Sequence, residues 1–287
     1  MTTRPEVTPF FDADSNTISY VVRDPASLSC AVIDCVMDID YAAGRLSFES
    51  ADKIIAFIKD SGYALEWLIE THVHADHLSA APYIQGELGG RIAIGQGILT
   101  VQETFGKVFN EGTEFARDGS QFDVLMQDGD TYRIGTMTCT ALHTPGHTPA
   151  CMTHVAGDAA FVGDTLFMPD AGSARADFPG GDAGQLFDSI QRVLALPDST
   201  RLFMCHDYGG NGRSIEWETT VAEEKAQNIH VGSGKSRDDF IAMREARDAQ
   251  LAMPRLILPS LQVNMRAGEV PADPDGNPVL KVPVNAL

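Results

Sequence analysis

Thr71-His-Val-His-Ala-Asp-His-Leu78 decides how this chain reads, because it gathers His72, His74, Asp76 and His77 within six residues. The preceding run, Leu65-Glu-Trp-Leu-Ile-Glu-Thr71, is apolar and partly β-branched or aromatic, which predicts a buried strand. In extended backbone, residues two apart point the same way, so His72 and His74 can pinch one ion. Asp76 and His77 fall where the chain turns into the helix-like stretch Leu78–Leu88. There they can face a neighbouring position about 3.5–4 Å from the first, the spacing of two-metal centres. Imidazole with carboxylate suits zinc, iron or manganese, whereas calcium and magnesium prefer all-oxygen shells.

Outward from this junction, strands and helices alternate. Thr17–Val22 and Ser29–Asp34 read as a hairpin around Asp24-Pro25, and Ser50–Lys59 as a helix with Ile54, Ile55 and Ile58 on one face. Further strands are expected at Arg91–Ile94, Thr136–Leu142, Cys151–Val155, Ala160–Gly163 and 201–205, and helices at 182–196, 216–229 and 236–251. Residues 95–120 read as irregular or helical, and the Pro-rich tail 254–287 as mostly extended. The alternation predicts a layered α/β body in which residues 1–253 form the catalytic domain and 254–287 packs on it as a C-terminal segment.

Three later segments end strands in ligand-type residues. In His143-Thr-Pro-Gly-His147 the Pro145-Gly146 turn can aim His147 back at the metal, while His143 reads as a hydrogen-bonded loop residue. Asp164 closes the apolar run Phe161-Val-Gly and could bridge two ions or complete the shell of one. His206 ends Leu202-Phe-Met-Cys, with Asp207 and Tyr208 following.

Composition narrows the partners. A formal charge of −19 argues against a nucleic-acid groove or an anionic membrane surface. The sequence has no uninterrupted apolar run of membrane-spanning length, and the start Met-Thr-Thr-Arg-Pro-Glu-Val-Thr lacks the order of a secretory or transit signal, so a cytoplasmic protein is expected. Cys30, Cys35, Cys139, Cys151 and Cys205 lie scattered in apolar stretches, which predicts reduced core thiols rather than a disulfide frame.

The order of these motifs, His-x-His-x-Asp-His followed by a Gly-His turn, a strand-end Asp and a strand-end His, resembles the metallo-β-lactamase superfamily. The resemblance implies an αββα sandwich of two mixed sheets covered by helices, with metal along one edge. In dinuclear members one ion is held by the positions matching His72, His74 and His147, the other by those matching Asp76, His77 and His206, with Asp164 shared.

Thr-Pro-Gly-His-Thr-Pro, Gly-Asp-Thr-Leu-Phe, Ser173-Ala-Arg-Ala-Asp-Phe178, Cys-His-Asp-Tyr208 and Leu258–Gly268 resemble more narrowly the persulfide dioxygenases related to glyoxalase II. That likeness implies one Fe(II) per chain on His72, His147 and Asp164, a face that leaves positions open for O₂ and glutathione persulfide. It makes His74, Asp76, His77 and His206 the surrounding shell or a second metal position. Asp76 and Tyr208 become candidates for the chemistry, and Arg175, Asp177, Tyr208, Arg213 and Arg266 candidates for substrate contact. The competing expectation is a glyoxalase II-like thioester hydrolase with a zinc pair. A homodimer using the tail is a further expectation.

Overall fold

The computed structural model describes residues 3–286. Its first half contains β1 (Glu6–Asp12), β2 (Thr17–Arg23), β3 (Ser29–Ile33), β4 (Val36–Asp40), β5 (Arg45–Ser47) and α1 (Glu49–Ser61). These are followed by β6 (Ala64–Ile69), β7 (Leu78–Ser79), α2 (Ala81–Leu88), β8 (Arg91–Gly95), α3 (Ile98–Val108) and β9 (Val124–Met126). The second half contains β10 (Thr131–Ile134), β11 (Met137–His143), β12 (Met152–Ala156), β13 (Ala159–Phe161), α4 (Ala183–Leu194) and β14 (Arg201–Phe203). It ends with β15 (Glu218–Thr220), α5 (Val221–Gln227), α6 (Arg237–Asp248) and α7 (Ile257–Asn264).

Two six-stranded mixed sheets result, ordered β1-β2-β3-β6-β8-β9 and β10-β11-β12-β13-β14-β15, with β5-β4-β7 as a small third sheet. Side-chain alternation explains the layers. On β2 and β3, Ile18, Tyr20, Val22, Ala31 and Ile33 face the second sheet, meeting Phe161 and Phe203. The intervening Val21, Cys30 and Val32 face outward under α1, α2, α3 and α7. On the other side, Leu202 and Met204 pack beneath Leu186, Ile190 and Val193 of α4, with Phe240 of α6 beside them. Helix–sheet–sheet–helix layering therefore covers the apolar faces of both sheets. It is the expected αββα sandwich.

Backbone bonds join the sheets at one rim. Ile18 N donates to Cys205 O at 2.7 Å, and Met152 N to Thr71 O at 2.8 Å. The ends of β2, β6, β12 and β14 are thus drawn to one edge, which fixes where their following loops converge.

Most predicted elements occur, and the differences have local causes. The tail is not mostly extended: α7 crosses it and packs Leu261 and Val263 into the core. Pro259 disguises that helix, yet it stands in the first turn, where the missing N–H has no intrahelical partner to lose. The helix expected over 216–229 starts later, because Glu218–Thr220 pairs with β14 and Thr220 then caps α5 by accepting from Glu223 N. Leu78–Ser79 pairs with Val36–Met37 before α2 begins, which shortens the helix expected from Leu78. The five cysteines are buried and unbridged, as expected. No helix among the described residues is long and apolar enough to cross a membrane.

Candidate metal centre

His72, His74, Asp76 and His77 occupy the loop after β6, His147 the turn after β11, Asp164 the single 3₁₀ turn after β13, and His206 the segment just after β14. Two glycines make the approach possible. Gly163 adopts φ +51°, and a Cβ there would lie 2.6 Å from Thr71 Oγ1, so only glycine lets Asp164 come this close to the histidine loop. Gly146, at φ +133°, presses on the backbone of Leu186 with no room for a side chain and turns His147 inward.

The donor atoms form two groups, each within 4.8 Å of one another: His72, His147 and Asp164, and His74, Asp76, His77 and His206. Asp164 spans them. Its Oδ2 lies 3.6 Å from His147 Nε2 and 3.8 Å from His72 Nε2, while Oδ1 lies 3.4 Å from His206 Nε2. Asp76 Oδ2 is 3.1 Å from His206 Nε2.

The hydrogen bonds indicate what belongs between these groups. Each ring turns one nitrogen toward protein and the other toward the centre. His147 Nδ1 donates to Arg175 O at 2.8 Å, His72 Nδ1 lies 3.0 Å from Thr71 Oγ1, and His77 Nδ1 lies 3.1 Å from Thr17 Oγ1. His206 Nδ1 donates to Asn16 O at 3.3 Å, and His74 Nε2 to Asp34 Oδ1 at 3.0 Å. Facing inward, His72 Nε2, His74 Nδ1, His77 Nε2, His206 Nε2 and Asp164 Oδ1 are buried without a hydrogen-bond partner. Each such atom costs about 1–3 kcal/mol if left so. Five converging orphans, with every opposite ring nitrogen already satisfied, fit one or two cations of the nitrogen- and oxygen-binding kind.

Electrostatics agrees with that fit. Burial, and then repulsion from His74 and the neighbouring imidazoles, holds His72 well below the usual histidine range and His77 down to about 4, so both are neutral and able to ligate. Burial works the same way on His74, but Asp34 and Glu70 outweigh it and raise that ring. Burial lifts the Asp164 carboxyl, partly offset by His206 and His147.

Asp34 was not anticipated as part of the centre. It sits at φ +51° after β3, accepts from Thr71 N at 2.8 Å and Thr71 Oγ1 at 2.9 Å, and with Glu70 braces His74. Asp34, Glu70 and His74 form a third close acidic-imidazole group, but Asp34 is spent on Thr71 and Glu70 accepts from Ser79 Oγ at 2.6 Å, so this group supports a ligand. Its only trace in sequence is an acid ending an apolar strand, the same mark that pointed to Asp164. Asn264 was also missed. From α7 it donates to His74 O at 2.9 Å and His77 O at 2.8 Å and accepts from Ser79 N at 2.8 Å.

A cavity of about 630 Å³ opens over the centre, with Asp76, His147 and Asp164 in its lining beside Phe167, Arg175 and Tyr208. Tyr208 lies half-exposed beside His206, ring centroids 6.3 Å apart. The other expected contacts separate. Arg175 lines the cavity, but its guanidinium is bound to Asp177 at 2.7 Å and to Ala252 O at 2.8 Å, so Asp177 serves as its brace. Arg213 is forked between Asp170 and Asp207, with bonds of 2.6–3.0 Å, and lies outside the lining. Arg266 also stands away from the cavity, 2.9 Å from Glu111 and over the Phe115 ring. The expectation of Arg213 and Arg266 as substrate contacts is corrected accordingly: local acids already neutralise both. His143 Nε2 donates to Pro149 O at 2.9 Å and braces the turn, as read from sequence.

A family model described as the metallo-beta-lactamase superfamily matches residues 14–206, the span from the β1–β2 turn to the last histidine of the centre. The chain belongs to the metallo-beta-lactamase superfamily. Among relatives, a probable metallo-hydrolase of Burkholderia pseudomallei is 56% identical over 97% of this chain and 98% of its own length. Glyoxylase B2 of Dictyostelium discoideum is 43% identical over 100% and 99%. The human mitochondrial persulfide dioxygenase ETHE1 is 29% identical over 90% and 87%. The crystal structure of ETHE1 from Myxococcus xanthus superposes with a TM-score of 0.73 at 30% identity, over 92% of this chain and 100% of that one. The chain is thus an enzyme of the metallo-beta-lactamase superfamily with a metal-binding His/Asp centre.

Proposed function

We propose that this member of the metallo-beta-lactamase superfamily is a persulfide dioxygenase that uses one Fe(II) per chain to oxidise glutathione persulfide, or a similar persulfide, with O₂. The observation that carries the reading is the grouping of donor atoms: those of His72, His147 and Asp164 lie within 4.8 Å of one another as a compact two-histidine, one-carboxylate set. Likeness to the two ETHE1 proteins supports it. Iron, when bound there, would supply the electron transfer that joins O₂ to the terminal sulfur; with one water consumed, persulfide becomes thiol and sulfite, releasing two protons.

The chain's own residues give that chemistry its geometry. The Arg175 carbonyl fixes the His147 tautomer and aims Nε2 inward. Asp164 offers one oxygen to each group of imidazoles, and Asp76 beside His206 can hold a water at the cavity floor. Phe167 and Tyr208 stand edge to face at 6.1 Å and shield one side of the opening.

A second reading rests on the other group. His74, Asp76, His77 and His206 could complete a dinuclear zinc centre for thioester hydrolysis, and the metallo-hydrolase and glyoxylase relatives favour it. One preparation separates the two: metal analysis, oxygen uptake with glutathione persulfide, and cleavage of S-lactoylglutathione. About one iron per chain with sulfite formation supports oxidation. Two zinc ions with thioester cleavage, and no oxygen uptake in iron-loaded protein, reverses the choice.

A further inference from the structure

The segment that orients His147 is held by side chains from beyond the last histidine of the centre. Residues 172–176 belong to no helix or strand, so their backbone groups have no regular ladder to enter. Side chains take its place. Gly172 O accepts from Asn228 Nδ2 at 3.0 Å, and Ser173 N donates to His230 Nδ1 at 2.9 Å. Ser173 O accepts from Arg244 Nη1 at 3.2 Å, and Ala176 N donates to Asp248 Oδ2 at 2.8 Å. Between them, Arg175 O accepts from His147 Nδ1. Gly172 stands at φ +89°, and a Cβ there would lie 2.2 Å from the His230 ring, so glycine lets the imidazole close on the segment.

His230 is the member whose role is best defined. A ring nitrogen that accepts from a backbone N–H carries no proton, so this imidazole is neutral with its proton on Nε2. Burial keeps it neutral, bringing the ring down to about 4, and the guanidiniums of Arg244 and Arg247 add to the effect. Arg244 thus acts twice: it binds Ser173 O and helps to keep His230 an acceptor, while Asp248 balances its charge at 2.6 Å. His230 lies outside both donor groups of the metal centre and outside the lining of the cavity above it.

We infer that His230 is a positioning residue for the metal ligand His147, acting through Ser173 and Arg175, with Asn228, Arg244 and Asp248 fixing the rest of the segment. The line of contacts is short. Nδ1 of His230 holds the Ser173 amide, and two residues on the Arg175 carbonyl sets the tautomer and direction of the His147 ring. Without that acceptor a buried amide goes unpaired, which the segment relieves by moving. The superfamily match ends at residue 206, so this support comes from outside the span that the family model covers. The inference goes beyond the proposed reaction and holds whether the centre takes one cation or two.

Cobalt(II) is the probe, because its visible absorption reports ligand geometry without turnover. The full chain and its variants are loaded with cobalt, and affinity is read by competition with a chelator. Losing a group that orients a ligand costs about 10- to 100-fold in metal affinity, and His230 acts one step further out. H230A should therefore weaken cobalt by about tenfold and shift its absorption band. H230N can place an amide oxygen where Nδ1 stands and should stay within about threefold of wild type. H230Q carries its oxygen one bond too far and should behave like H230A; the H230N and H230Q pair carries the test if H230A does not fold. F240L trims a core contact of α6 and leaves these hydrogen bonds in place, so it should lower the melting temperature without changing cobalt affinity. The inference is overturned if wild type binds no cobalt, if H230A or H230Q matches wild type in affinity and spectrum, if H230N loses as much as they do, or if F240L reproduces their loss. Oxygen uptake and thioester cleavage enter none of these readouts, so the choice of reaction stands or falls separately.

Discussion

Asn264→Ala should loosen the metal loop from outside the centre. The side chain is buried, and its three hydrogen bonds reach the backbone of His74, His77 and Ser79, residues 185–190 positions earlier in the chain. Such bonds contribute about 0.5–1.5 kcal/mol each, and alanine strands a buried amide and two carbonyls, which moves the loss toward the upper end, about 3–4 kcal/mol. For a chain of 287 residues that corresponds to a melting point lower by about 5–7 °C. Because the bonded carbonyls belong to the loop that also carries His72, metal affinity should also fall by about 10- to 100-fold. Thermal unfolding of the metal-free protein and competition with a chelator measure the two effects separately. Asn277→Ala, at an exposed turn in the same tail where Asn277 bonds Asp273, is the reference and should move neither by a measurable amount. If N264A melts with N277A and holds metal as tightly as wild type, α7 does not position the loop. The point substitution is preferred to truncation at residue 253, which would also remove Leu261 and Val263 from the core.

The centre itself makes a sharper distinction: His147→Ala and Asp164→Ala should each abolish metal retention after dialysis, while His143→Ala, which loses only its bond to Pro149 O, should retain it. Equal loss in all three would refute the assignment of the turn. A pH effect is expected far from the metal, at Asp24. Burial there raises the carboxyl, but hydrogen bonds from the amides of Ala26 and Thr136 and from the Thr136 and Ser27 hydroxyls outweigh it and bring the group down to about 2. The folded value lies below the unfolded one, near 3.9, so this stabilisation is fully present above about pH 4 and is lost as pH falls through 2. Asp24→Asn should therefore narrow the stability gap to wild type as unfolding is measured from pH 5 toward pH 2; a constant gap would show that the carboxylate charge is not what the hydrogen bonds favour.

Legibility of the centre followed the range of the forces involved. His72, His74, Asp76 and His77 were readable because one loop holds them, and His147, Asp164 and His206 because each closely follows an apolar strand. Asp34 carries the same strand-end mark but no motif, and its role appears only where its oxygens meet Thr71 and His74. The arginines were hardest to read. Arg213 and Arg266 are ordinary candidates for an anionic substrate until Asp170, Asp207 and Glu111 are seen to neutralise them. The helix in the tail was obscured by Pro259, whose ring forbids helix interiors but is tolerated in a first turn.

From sequence alone came the donor types and the layered α/β body, since these follow from side-chain chemistry and from periodicities of two and 3.6 residues, while the sandwich with metal along one edge was implied by the resemblance to the metallo-β-lactamase superfamily. Only tertiary structure decided which nitrogen of each imidazole faces the centre, how Asp164 divides its oxygens between two groups, and which guanidiniums are neutralised by nearby acids. Those outcomes depend on partners far away in sequence, such as Arg175 for His147 and Asp34 for His74, and hydrogen bonding and charge pairing act through distances that exist only once the chain is folded.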